Sequence, residues 1–219
     1  MPVRPCARAL LSLCALMLPV AGHAETNETQ AWLTESLIFT ASPKDSVTID
    51  LSERARSDAT SGGEQFLGRI GIDHLLAKGV LVGGGFAYLH DQSVHEIRTH
   101  QQLTLTHGIW TSRTRIEQRF FDYADGPVWR LRQRVQTAVP LDDKGKWTLI
   151  AAGEVFFHLN RVRASDKTGL AMLRNQIGLR HRFSRAVDLQ ILYMRQQTFR
   201  DARPDVVAHI PWATLSWHI

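Results

Sequence analysis

The stretch Trp129-Arg130-Leu131-Arg132-Gln133-Arg134-Val135-Gln136-Thr137-Ala138-Val139 decides the fold. Trp129, Leu131, Val135 and Val139 share one parity, while Arg130, Arg132, Arg134 and Gln136 share the other. A β-strand sends successive side chains to opposite faces, so this segment reads as a strand with one apolar and one cationic face. The segment before it, Ile109 to Phe121, repeats the pattern with Arg113, Arg115, Glu117 and Arg119 on one parity. In a soluble barrel the polar face points to water and the apolar face inward. In an outer-membrane barrel the sense is reversed, with lipid outside and a polar lumen.

Working outward, strand-like segments lie near 31–40, 46–54, 65–75, 79–90, 97–107, 109–121, 128–139, 146–158, 170–183, 186–198 and 206–219. Most have the length that a tilted strand needs to cross an outer membrane. Tight connections such as Ser42-Pro43-Lys44-Asp45, Lys78-Gly79, His107-Gly108 and Asp142-Asp143-Lys144-Gly145 alternate with longer polar loops. That is the order of short periplasmic turns and longer outer loops. Trp110, Trp147 and Trp217 fall beside short turns, and Tyr88, Tyr123 and Trp129 beside long loops, as two interfacial belts would require. The alternation predicts an all-β fold, a transmembrane antiparallel up-and-down barrel. Bacterial barrels normally have an even strand count, so ten or twelve strands are expected although eleven segments are visible.

The first 24 residues carry Arg4 and Arg8, an apolar run from Ala9 to Ala21, and Gly22-His23-Ala24 as a small-x-small site. This reads as a signal peptide over 1–24 followed by one barrel domain over 25–219. Both cysteines, Cys6 and Cys14, lie in that leader, so no disulfide framework or thiol chemistry is expected. Beyond it stand 24 basic and 21 acidic residues, and 19 of the basic ones are Arg. Arginine is preferred where a cation must be held in a crowded, hydrogen-bonded place. Export and strand-wise alternation argue against a nucleic-acid partner.

Several stretches carry a resemblance to a known family: Ile116-Glu117-Gln118-Arg119-Phe120, Trp129-Arg130-Leu131-Arg132, Glu154-Val155-Phe156-Phe157-His158-Leu159-Asn160, and Asn175-Gln176-Ile177-Gly178-Leu179. Over about 109 to 196 the chain resembles the outer-membrane barrel family catalogued as domain of unknown function 2490. The resemblance implies an export signal and a single antiparallel barrel, and it implies no activity or catalytic residue.

Parity then assigns the two faces. Arg113, Arg115, Glu117, Arg119, Arg130, Arg132, Arg134, Glu154, His158, Arg174, Arg180 and Arg182 are expected in the lumen, with Asp73, Asp188 and Glu53 as further inward carboxylates. Leu131, Val135, Leu149, Val155, Phe157, Ile177, Leu179, Leu189, Ile191, Leu215 and Trp217 are expected against lipid. The expected setting is the outer membrane of a Gram-negative cell, as a monomer against membrane lipid and lipopolysaccharide. The terminal strand is expected to meet the barrel-assembly machinery.

Three functions stand open: a structural or interaction barrel with a salt-bridged lumen, a porin-like anion-selective pore or anion-binding barrel, and a serine-type lipid acyl hydrolase. The last would use a Ser-x-His pair such as Ser93 with His95, or Ser216 with His218. The first is the expected one, without enzymatic activity. No metal-ligand pattern or cofactor loop is present. The run Gly83-Gly84-Gly85 lacks a following Lys-Ser/Thr and reads as a close backbone approach in a curved wall.

Overall fold

The computed structural model describes residues 25–57, 62–162, 167–201 and 203–219. The leader read over 1–24 lies outside the described residues. The strands are β1 (Glu25–Thr29), β2 (Ala31–Thr40), β3 (Asp45–Ala55), β4 (Gln65–Ala77), β5 (Val80–Asp91) and β6 (His95–His107). They continue as β7 (Trp110–Phe121), β8 (Val128–Pro140), β9 (Trp147–His158), β10 (Gly169–Arg182), β11 (Val187–Thr198) and β12 (Asp205–His218). Each of the eleven alternating segments becomes a strand, and β1 is an addition that the sequence pattern did not show.

Neighbours from β2 to β12 pair antiparallel in chain order, and β12 then pairs with both β1 and β2, closing the sheet. The closing ladder is parallel, with Glu25 opposite Asp205 and Trp32 opposite Trp212 in one unbroken register. β1 and β2 are therefore two halves of one strand, and the barrel has eleven strand positions, within the ten to twelve expected but odd where an even count is favoured. An odd number of hairpin-linked strands brings the first and last together running the same way, so closure must be parallel. Full closure still removes the edges that would otherwise recruit another chain.

The interruption between β1 and β2 has a chemical cause. The Gln30 N–H donates to the His209 carbonyl at 3.0 Å. The next bond of a parallel ladder would come from the N–H of residue 211, which is proline and has none.

At one mouth the turns are short. The Asp142 carboxylate accepts hydrogen bonds from the backbone N–H groups of Lys146 at 2.9 Å and Trp147 at 2.7 Å, closing the β8–β9 turn. Those backbone donors hold its pKa below the ordinary carboxylate value. Gly145 supplies the left-handed residue there, at φ 63°. The long loops gather at the other mouth, where β1 starts and where the strand pairs Trp129–Gln118 and His90–His95 end.

Alternation sorts the side chains as a barrel wall requires. Leu149, Leu179 and Ile191 are successive register partners on the outer face, as are Leu131 with Phe157 and Leu189 with Leu215. Three inward glycines remove bulk where partners lie flat on the wall. A Cβ on Gly83 would stand 2.0 Å from Asp73 Oδ1, one on Gly85 2.7 Å from His100 Cε1, and one on Gly178 2.1 Å from the Ile191 carbonyl oxygen.

Gly178→Ala therefore drives a methyl into backbone, and should cost about 1–3 kcal/mol of stability by overpacking. Gly153→Ala on the adjacent strand, whose Cβ would meet nothing nearer than 3.7 Å, should be near neutral. Urea midpoints of the refolded barrel compare the two, and equal midpoints would mean that the wall yields at Gly178.

Candidate functional site: an arginine-lined interior

Inward positions of β3 to β10 carry guanidinium and carboxylate groups, and their pairing follows from register. Residues opposite one another on neighbouring strands have Cβ atoms only about 5 Å apart, within reach of long side chains. Glu117 on β7 stands opposite Arg130 on β8 and one rung from Arg132. It accepts from Arg130 Nε at 2.6 Å and Arg132 Nη1 at 2.6 Å, with Arg115 Nη1 at 3.7 Å. Glu154 on β9 accepts from Arg132 Nε at 3.1 Å and Nη2 at 2.8 Å, and from Arg113 Nη2 at 3.4 Å. Glu96 on β6 takes both arms of Arg98 at 2.6 Å and is also held by Arg119. Arg132 thus bridges two carboxylates, and each carboxylate is shared by at least two arginines.

These acids are buried, Glu117 and Glu96 at 2% exposure and Glu154 at 4%. Charges so placed persist only when paired and hydrogen-bonded. Phe156, itself 1% exposed, packs at the centre. The guanidinium carbons of Arg132, Arg174 and Arg130 lie 4.6, 4.8 and 5.4 Å from its ring centroid. Cations over an aromatic face gain electrostatic attraction without a counter-charge. Behind Phe156 the opposite wall is apolar, where Trp32, Met194, Ala208 and Ile210 cluster with Trp212, and the two indoles meet edge-on at 5.7 Å.

The structure brings together Arg113, Arg115, Glu117, Arg119, Arg130, Arg132, Arg134, Glu154 and Arg174 around one cavity of about 490 Å³. His158 closes the end of β9 beside them, with Arg119 Nη1 at 3.5 Å from its Nε2. Arg180 and Arg182 are placed apart, toward the short-turn mouth. Arg180 donates to Thr148 at 3.3 Å, and exposed Arg182 stands opposite Asp188. Arg174 stands opposite Glu154 in register, yet its Nε donates to Gln196 at 2.8 Å.

Two expectations are corrected. Glu53 faces outward: it shares the parity of exposed Leu51, while Asp50, Ser52 and Arg54 face in. Tyr123 leaves the outer belt and stacks at 5.0 Å on Phe121 at the cavity mouth. Of the Ser-x-His pair at the rim, Ser93 Oγ donates to Asp91 and His95 Nδ1 bonds the Tyr88 hydroxyl at 2.7 Å. At the short-turn end His218 Nε2 bonds Asp188 at 2.7 Å beside buried Ser216.

The first half of the barrel also contributes charged residues that the sequence reading passed over. Arg54, Arg56, Arg69 and Arg98 line the cavity with Asp50, Asp91 and Glu96. Arg69 binds Asp50 through Nε at 2.7 Å, and Arg56 binds Asp91 at 3.0 Å. A parity signal existed in Asp50-x-Ser52-x-Arg54. It was diluted because inward positions of β4 and β5 include Leu67, Gly71, Gly83, Ala87 and Leu89.

Closed sheet, odd strand count and a shared Arg–Glu lattice define a single β-barrel with a charged, partly packed interior. The chain belongs to the family described as "Protein of unknown function (DUF2490)", whose model matches residues 29–207. No curated protein matches the sequence. Among solved structures, a chain described under "Unveiling the Mechanism Behind the in-meso Crystallization of Membrane Proteins" is similar at 14% identity and a TM-score of 0.44. The match covers 78% of this chain and 71% of that one.

Removing one charge from the lattice should be costly. Glu117→Gln leaves Arg130 and Arg132 short of a buried counter-ion and should cost about 3 kcal/mol, the scale of a broken buried pair. Asp201→Asn, in the exposed Lys167–Asp201 pair, should change stability by about 1 kcal/mol or less. Urea unfolding followed by tryptophan fluorescence checks both. Equal shifts would mean that Glu117 is effectively hydrated.

Proposed function

We propose that this is an outer-membrane β-barrel, exported by the leader at 1–24, that acts as a structural or interaction barrel with its lumen held shut by the Arg–Glu lattice. The observation that carries this reading is the sense of the two faces. Large apolar side chains stand exposed on the outside, Ile191 at 57%, Ile72 at 55% and Leu33 at 51%, while Glu117, Glu154 and Arg115 are buried within. A soluble protein seldom leaves so continuous an apolar band in water, whereas a bilayer requires it. Hydrogen-bonded and aromatic groups interrupt that band. Tyr193 bonds His209 at 2.6 Å on the outer face midway along β11, and near the short turns Trp147 packs against His181, which meets Phe183 edge-on.

On this reading the outward residues from Leu131 to Trp217 meet membrane lipid and lipopolysaccharide, β12 is the strand offered to the assembly machinery, and the edgeless sheet favours a monomer. The proposal assigns no reaction. Around Phe156 the guanidinium groups and the ring occupy the middle of the lumen, and Ile150 and Leu192 are buried further toward the short turns, which favours closure over a pore.

Planar-bilayer recording of the folded protein should give weak conductance or none, and a steady anion-selective current would overturn the closed lumen. The membrane orientation has its own test. Leu131→Cys and Ile191→Cys should resist a water-soluble thiol reagent in intact membranes. Their efficient labelling, with Arg132→Cys and Gln190→Cys protected, would reverse the assignment of the faces.

A further inference from the structure

We propose that the cavity at the long-loop mouth binds a small, soluble, multiply phosphorylated ligand, seated by Arg54 and Arg174 where they meet over the Trp32 ring beside the charge lattice. This rests on the proposed outer-membrane orientation only for the side from which the ligand enters.

The volume, about 490 Å³, falls within the usual range for small-molecule sites, and the cavity is bordered at its mouth by Arg56, Asp91, Tyr123 and Arg200. Among the described residues its lining holds twelve arginines against six carboxylates and no lysine, a surplus of six positive charges. The carboxylates are largely engaged already. Glu96, Glu117, Glu154, Asp50 and Asp91 are held by Arg98, Arg119, Arg130, Arg132, Arg113, Arg69 and Arg56. Glu28, the sixth, is hydrogen-bonded by Gln30.

What remains is a set of guanidinium groups held by amide oxygens, which orient a cation without neutralising it. Arg54 Nη1 donates to Gln65 at 2.9 Å, Arg174 Nε to Gln196 at 2.8 Å and Arg134 Nη2 to Gln136 at 2.8 Å. Arg54 Nε is buried and, among the described residues, has no hydrogen-bond partner. Arg54 and Arg174 both lie over the Trp32 ring, at 4.0 and 5.3 Å from its centroid. The ring attracts both cations but cannot cancel their mutual repulsion.

Like charges gathered in a desolvated place are stabilised by an anion supplied from outside. Guanidinium forks match phosphate in two-point contacts, which is where arginine is preferred to lysine. A surplus this large favours several anionic groups in one ligand over a single one.

The probe is tripolyphosphate, titrated calorimetrically into the full-length barrel folded in detergent, with orthophosphate and citrate alongside. Saturable binding should appear, tighter for tripolyphosphate than for orthophosphate or citrate. It should weaken with salt and fall roughly tenfold or more in Arg54→Gln and in Arg174→Gln. Arg180→Gln, altered away from the cavity, should bind as the parent does.

No saturable binding by correctly folded protein, a preference for citrate, or equal loss in Arg180→Gln would overturn the proposal. Repeating the titration in vesicles with and without lipid A separates the sources: suppression by lipid A would make the ligand a lipid headgroup and overturn a soluble one. Binding is read without reference to current or membrane sidedness, so a conducting lumen or a reversed barrel would leave this readout unmoved.

Discussion

An inward charge in this barrel is held by other groups of the lumen, because a closed wall cuts it off from bulk water. That desolvation constraint organises the interior. Three carboxylates, Glu96, Glu117 and Glu154, sit on different strands, and each gathers guanidinium groups from its own strand or from strands one or two positions away. Arg132 belongs to two of these groups at once, so the lattice is continuous around part of the wall. A shared counter-ion ties strands far apart in sequence, as with Arg113 and Glu154.

The lattice is possible only because the rest of the interior makes room for it. Long side chains from β6 to β10 reach inward, while β4 and β5 present glycine at Gly71, Gly83 and Gly85. Asp73 and His100 lie flat across two of those glycines, and Asp73 in turn accepts from Gln102, which holds Arg115 through its amide oxygen at 2.6 Å. The opposite wall supplies apolar bulk, with Phe156 and Trp32 serving as surfaces on which guanidinium planes rest. The interior is thus neither a wet channel nor an ordinary core. One side is ionic and the other aromatic and aliphatic, joined by cation–ring contacts.

Closure imposes the second constraint. Eleven strands return the chain to its starting point with the first and last parallel, and a single proline in β12 costs that seam one hydrogen bond. The seam is also where the apolar wall lies, so Trp32, Ile210 and Trp212 pack where the ladder is weakest. Trp212 Nε1 donates to Thr34 Oγ1 across it at 3.0 Å, and Trp32 Nε1 donates to Gln30 at 2.9 Å.

The sequence by itself determined where the strands run, which of their faces is polar, and that arginine dominates the inward face of β7, β8 and β10. Those are local properties: parity along a strand is fixed by the chain's own geometry, and hairpin turns carry their own residues. Tertiary structure alone decided that the eleven segments close as they stand, through a parallel ladder joining residues 180 positions apart. It also decided that Glu53 points out, that Tyr123 folds over the mouth, and that Arg174 turns to Gln196 while Arg132 takes Glu154. Register between strands and the curvature of the wall set those choices, and neither is written in any single segment. The lumen is therefore most legible in the sequence where charge alternates strictly, from Arg113 to Arg134, and least legible where inward glycine and leucine hide the same alternation around Arg54, Arg69 and Arg98.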